Sequence, residues 1–478
     1  HRDLHSCPTR RSSDLEMALD GCNNLTSLSV DSNSNKYDSR NNCNAIIQTE
    51  TNDLIKACVN TQIPESVTTI GSNAFAGCVG LTSIVIPEGV TNIASNAFNG
   101  CTELATVNLP SSLKSLNGFS NCTQLTSINI PSGDTSIGTS AFEGCTGLTS
   151  IVIPEGVTNI AIDAFNGCEK ISTVSLPSSL MYLNGFSNCT QLTSINIPSS
   201  VTSIGNRAFE GCTRLTYLDI PEGVTNIAPD AFKGCSNLIT VTLPSSLKSL
   251  SGFSNCTKLT SINIPSSVTS IGERAFYGCS GLKSMIIPDG VIFIGANAFY
   301  GCTGLKSIII PDGVIYIGGN AFNGCAAQTS LKIPDGVNEI NAGAFQGFTG
   351  LTSIHIPSSV IFIGDYAFYD CSNLTFIDMP SNVSYFGRRV FEGCSSLTSL
   401  SIPEGVTEID YYTFDGCSSL TSVNIPSSVT KIGDNSFSGC TSLSSIKVEE
   451  GNTVYDSRDN CNAIILTETN TLIVGCNG

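Results

Sequence analysis

Three tandem blocks of 67 residues, Leu81 to Gly147, Leu148 to Arg214 and Leu215 to Gly281, are near-copies of one another, and each divides into units of 23, 23 and 21 residues. A period in this range makes each unit one supersecondary element that cannot bury its own apolar face, so units must stack and share a continuous core. The repeat therefore predicts a solenoid, with function on an extended surface and not in a pocket. Repeat arrays grow by length, so 478 residues need not split into several domains.

The unit is clearest in Leu81 to Thr102, where Leu81, Ile84, Ile86, Val90, Ile93, Ala97, Phe98 and Cys101 are the candidate core positions. Alternation in Ser83-Ile84-Val85-Ile86 has the two-residue period of a strand, with Ile84 and Ile86 inward and Ser83 and Val85 outward. Pro87 ends the strand, and Pro-Glu-Gly, Pro-Ser-Ser or Pro-Asp-Gly makes the turn, since proline presets φ and glycine accepts tight geometry. Val-x-x-Ile follows, and Ala-Phe-x-Gly-Cys suits a short helical turn closed by glycine. The 21-residue variant, as in Leu116-Asn117-Gly118-Phe119, lacks two residues there and should be a half-turn shorter.

This pattern resembles the BspA-like class of leucine-rich repeat, LxxIxIPxxVxxIGxxAFxxC. Seventeen successive frames end at positions 78 through 440, each occupied by Cys except Phe348. The resemblance implies a leucine-rich repeat solenoid, a right-handed superhelix of short β-strands and short helical turns with about twenty stacked coils. It also implies a place on the surface of bacteria or parasitic protists, and a similarity to adhesins that bind host matrix glycoproteins or other microbes. It brings no catalytic residue and no cofactor.

Organisation along the chain follows. Residues 1–15 contain His5 to Leu15, which resembles a translated sequencing adapter and breaks the repeat, so they are set aside. Residues 16–80 hold N-terminal variant repeats, 81–281 the three blocks, 282–448 regular 23-residue repeats, and 449–478 a second variant unit. Lys36 to Val59 and Val454 to Asn477 match each other; the first runs on into a fresh repeat and the second stops near Gly478. The expectation is that further repeats, and any sorting or anchoring module, lie beyond.

The chain carries a formal charge of −17, or −18 once the net +1 of residues 1–15 is removed, and has no basic stripe. Nucleic-acid binding would need such a stripe to displace counterions. No stretch approaches the 18 or so apolar residues of a membrane span. Most of the 22 cysteines, including Cys22, Cys78, Cys101 and Cys440, share one repeat position, which predicts a ladder of buried free thiols. Zinc lacks any CxxC pair or histidine support. Cys43 with Cys58, and Cys461 with Cys476, recur at one spacing and are the candidate bridged pairs.

Catalysis has little to work with. His355, outside residues 1–15 the one histidine, occupies an exposed strand position and reads as a solvated face residue. The turn carboxylates Asp289, Asp312 and Asp335 fall on three consecutive repeats, which offers a calcium site; a solvated acidic turn is the other reading.

Between Lys283 and Gly364 the surface turns apolar, with Ile286 and Ile309 at the outward strand position and Ile292-Phe293, Ile315-Tyr316 and Ile361-Phe362 inside Val-x-x-Ile. The spacing leaves open which of each pair points outward. If Phe293, Tyr316 and Phe362 do, they form an aromatic stripe suited to a protein or glycoprotein partner. An extracellular or cell-surface adhesin without enzymatic activity is the favoured function. The alternatives are a structural surface-layer or immune-receptor-engaging protein and, more remotely, a carbohydrate-active solenoid.

Overall fold

In the computed structural model the described residues are 19, 21–22, 25–132, 136–325 and 329–476, so residues 1–15 lie outside them. The chain divides between Ser236 and Asn237 into two compact units.

The first unit opens with an antiparallel sheet of β1 (Tyr37–Asp38), β2 (Ala45–Gln48) and β3 (Asp53–Ala57). Arg40 fastens it, donating to Asp38 at 2.7 and 2.8 Å and to Asn52 at 2.8 Å. From β3 onward the pairing turns parallel. β4 (Thr69–Ile70) pairs with β3 and with β6 (Asn92–Ile93), and β6 with β8 (Ser115–Leu116). A separate parallel ladder joins β5 (Ser83–Val85) to β7 (Thr106–Asn108).

Each coil thus carries two short strands, and their alternation is what the repeat implies: Ile84 is 6% exposed and Val85 66%. Burial of the inward column is the main gain when coils stack, because each side chain leaves water only when neighbours cover it. Phe75, Phe98, Phe119, Phe142, Phe165, Phe186, Phe209 and Phe232 form a column of fully buried rings, with centroids 4.7 to 5.8 Å apart where stacked.

The segment around each Phe is not a helical turn. Ala74 N donates to Gly71 O and Cys78 N to Phe75 O, closing successive three-residue turns, while Phe75 N and Gly77 N donate to Ala97 O and Asn99 O of the next coil. Those inter-coil bonds occupy the donors that a helix would direct four residues back along its own chain. The corners require left-handed backbone, supplied by Asn73 and Gly77, or by Gly118 where two residues are missing. A side chain at Gly118 would strike Ala94 O at 2.5 Å and Ala97 N at 2.6 Å, so glycine is what lets the short coil close.

The second unit repeats the scheme. It has its own ring column, from Phe276 through Phe299, Phe322, Phe345, Phe368 and Phe391 to Phe414 and Phe437. The unit closes on a second antiparallel sheet, Tyr455–Asp456, Ala463–Leu466 and Thr471–Gly475, where Arg458 again donates to Asp456 and, at 2.8 Å, to Asn470.

The fold has about 16 turns where about twenty were expected, and the two variant units are antiparallel sheets, not coils.

The thiol column is buried. Cys101, Cys122 and Cys145 donate to the carbonyls of Phe75, Phe98 and Phe119 at 3.2, 3.3 and 2.9 Å. Cys22 departs from its expected place, being exposed ahead of the first hairpin sheet. Every described cysteine is a free thiol, so Cys43–Cys58 and Cys461–Cys476 are not bridged. Their sulfurs turn instead to backbone carbonyls, as when Cys58 donates to Asn44 O at 3.4 Å and Cys476 to Asn462 O at 3.0 Å.

Candidate partner-binding site

The apolar segment of the second unit lies on two parallel ladders. On the first, Ile286 pairs with Ile309 in register, and both point outward at 77% and 68% exposure. On the second, Phe293 pairs with Tyr316, with Ile294 and Ile317 as their inward neighbours. Phe293 and Tyr316 are 40% and 39% exposed, and Ile292, Ile315 and Ile361 are exposed as well. Both middle residues of Val-x-x-Ile therefore face water, which settles the point the spacing left open. Strand geometry sets Phe293 and Tyr316 outward, since inward Ile294 and Ile317 force the preceding residue to the opposite side, while Ile292 and Ile315 lie just ahead of the strands.

The Phe293 and Tyr316 rings stack at 4.8 Å and 2°. Phe362 is only half-buried and does not continue that stack, because Glu339 occupies the intervening position and pairs with it. It stacks instead on Tyr385, at 4.7 Å and 2°. The stripe is thus two ring pairs separated by one glutamate. Tyr385, 38% exposed, escaped the sequence reading because its repeat lies beyond Gly364, although it occupies the same column. Burial, followed by the charges of Asp365, Asp410 and Glu408, pushes the Tyr385 phenol above its usual pKa.

Asp289, Asp312 and Asp335 do not assemble a cation site. Lys332 reaches Asp312 at 2.5 Å, and that bond raises the Lys332 pKa. Among the described residues no group of three His, Cys, Asp or Glu side chains could hold a metal ion. Lys332, one period on from Ile309, thus sets a cation against the middle carboxylate of the three. An open depression of about 420 Å³ is lined here by Asp289, Ile309, Asp312, Ser330 and Lys332. His355 is exposed and lies 2.7 Å from Asp378 on the neighbouring strand.

The family model for the BspA type leucine-rich repeat region matches residues 52–171, 115–239, 158–282, 250–375 and 361–469. The chain belongs to the BspA-type leucine-rich repeat family. Among solved structures, this BspA-type chain is similar to a leucine-rich repeat protein from Bacteroides ovatus, with 32% identity over 80% of this chain and 83% of that one and a TM-score of 0.46. It is also similar to a leucine-rich cell surface protein from Faecalibacterium prausnitzii, with 27% identity over 89% and 96% and a TM-score of 0.40. No curated protein matches the chain. Among the described residues of this BspA-type protein no helix is long and apolar enough to cross a membrane.

Proposed function

We propose that this BspA-type protein is a non-enzymatic adhesin of a cell surface or extracellular space, binding protein or glycoprotein partners through the exposed face of its second unit. The observation that carries the reading is the pair of ring stacks, Phe293 on Tyr316 and Phe362 on Tyr385, together with outward Ile286 and Ile309 on the other ladder. Large apolar side chains left in water cost stability unless something covers them, and preassembled rings lose little entropy when a partner does.

Within each pair one face of each ring lies against its neighbour, so a partner meets the outer ring faces and the edges of a preassembled stack. The test is surface binding of the chain to immobilised fibronectin, fibrinogen and mucin, comparing it with the Phe293→Ser/Tyr316→Ser/Phe362→Ser variant. Saturable binding that falls at least tenfold in the variant, with a melting temperature nearly unchanged, supports the reading. Equal binding by both proteins would remove these residues from the site.

A further inference from the structure

Beyond the aromatic stripe, the coils from Asp365 to Lys431 carry a different surface. Where most coils place Asn, Asp or Ser at the left-handed corner, three consecutive coils place Tyr366, Arg389 and Tyr412, at φ of 58°, 56° and 58°. Bulky side chains pay strain in that region, so their recurrence is informative about the surface they build. The Arg389 guanidinium lies 4.3 Å from the Tyr412 ring centroid and 6.0 Å from that of Tyr366. One position earlier, Arg388 and Lys431 each lie 5.9 Å from the Tyr411 ring. Ring faces here already take cations.

Each of those cations is also paired with a carboxylate: Arg389 with Glu392 at 2.9 Å, Arg388 with Asp410 at 3.4 Å, and Lys431 with Glu408. Asp365, Asp370 and Asp415 are then in excess. Their field is felt by the neighbouring groups, since Asp370 and Glu392 raise the Tyr369 phenol pKa, and Asp415 and Asp370 add to the burial that raises Glu392. Tyr366 and Tyr411 remain exposed.

We propose that this corner binds a basic polypeptide segment, whose Arg or Lys side chains stack on the exposed tyrosines and pair with the surplus carboxylates. The chain's own Arg388, Arg389 and Lys431 show the mode of contact, and the negative surplus supplies the charge complementarity. An acidic partner is disfavoured because every cation on the surface is already engaged. The surface shares no residue with the Phe293–Tyr316 or the Phe362–Tyr385 pair, so the proposal stands or falls without them.

The experiment titrates a fluorescent peptide of alternating Arg and Ser against the full chain. Saturable binding is expected, weakening as NaCl rises from about 0.05 to about 0.5 M. A double variant, Asp365→Asn/Asp370→Asn, keeps the oxygen that accepts from Arg388 N while removing two of the surplus charges. It should bind about tenfold more weakly, as should Tyr366→Ser/Tyr411→Ser. Asp289→Asn/Asp335→Asn removes the same charge elsewhere in the unit and should bind as the unaltered chain does. Equal weakening in both charge variants, or equal binding of a Glu-Ser peptide, overturns the proposal.

Discussion

The ring of Phe348 stands edge-on to that of Phe345, at 6.2 Å and 83°, in the repeat position that cysteine fills in the neighbouring coils. A buried benzyl group takes the place of a small thiol, and the edge-to-face contact is a favourable geometry for two rings. The surrounding coils have therefore adapted to the larger residue.

Restoring the repeat pattern at that site should be harmful. Phe348→Cys leaves a void in a fully buried position and should cost about 3 kcal/mol, a value typical of large-to-small core changes. Denaturant unfolding of the two proteins measures it; equal midpoints would mean the core closes over the gap.

Gly118→Ala should destabilise the short coil by about 1–3 kcal/mol. The added methyl meets Ala94 O and Ala97 N inside van der Waals distance and also meets a φ of +88° that L-residues resist. Hydrogen exchange should show the effect first at Phe98 and Phe119, whose amides donate to the Gly118 and Ala141 carbonyls.

Burial pushes the Cys101, Cys212, Cys279 and Cys371 thiols up to about 12. Their neutral form is favoured in the folded chain, so the stability it contributes is complete below the unfolded thiol pKa of about 8.5 and is lost as pH rises through about 12. In the intervening window the unfolded state binds fewer protons, which gives a negative slope of stability against pH. Melting temperatures should fall steadily above about pH 9. At neutral pH iodoacetamide should label exposed Cys461 long before Cys212, and equal labelling rates would contradict the burial.

Surface and core aromatics should separate cleanly in stability. Phe293→Ser/Tyr316→Ser removes one exposed stack worth about 1 kcal/mol. Phe299→Ala, at 0% exposure and stacked on both sides, should cost about 3–5 kcal/mol.

Calcium should leave the melting temperature unchanged. Lys332 holds Asp312, and a divalent cation would have to displace that ammonium. A rise in melting temperature with millimolar calcium that disappears in Asp312→Asn would show otherwise.

How far the sequence carries can be judged at particular residues. Ile84 inward and Val85 outward were legible because strand alternation is local and Pro87 marks the end. The turn around Phe75 was misread, since Ala-Phe-x-Gly-Cys has a helix-like closing glycine and nothing local reveals that Phe75 N and Gly77 N donate to the next coil. At the candidate site, the outward placement of Phe293 and Tyr316 depended on which of two adjacent residues shared a face with Ile294 and Ile317. The partition of the rings at Glu339, and the arrival of Lys332 at Asp312, depended on which residues become neighbours 20 or more positions apart.

What the sequence by itself determined is the repeat: its period, the inward column of Ile, Phe and Cys, and the proline-led turns, because each is written within one unit of 23 residues or fewer. The tertiary structure decided everything that lies between units. Stacking brings together residues about one period apart, so ring pairs, guanidinium–tyrosine contacts and inter-coil ion pairs exist only once neighbouring coils are in register. Local sequence fixes which way a side chain points, and only the stacked fold supplies what it meets.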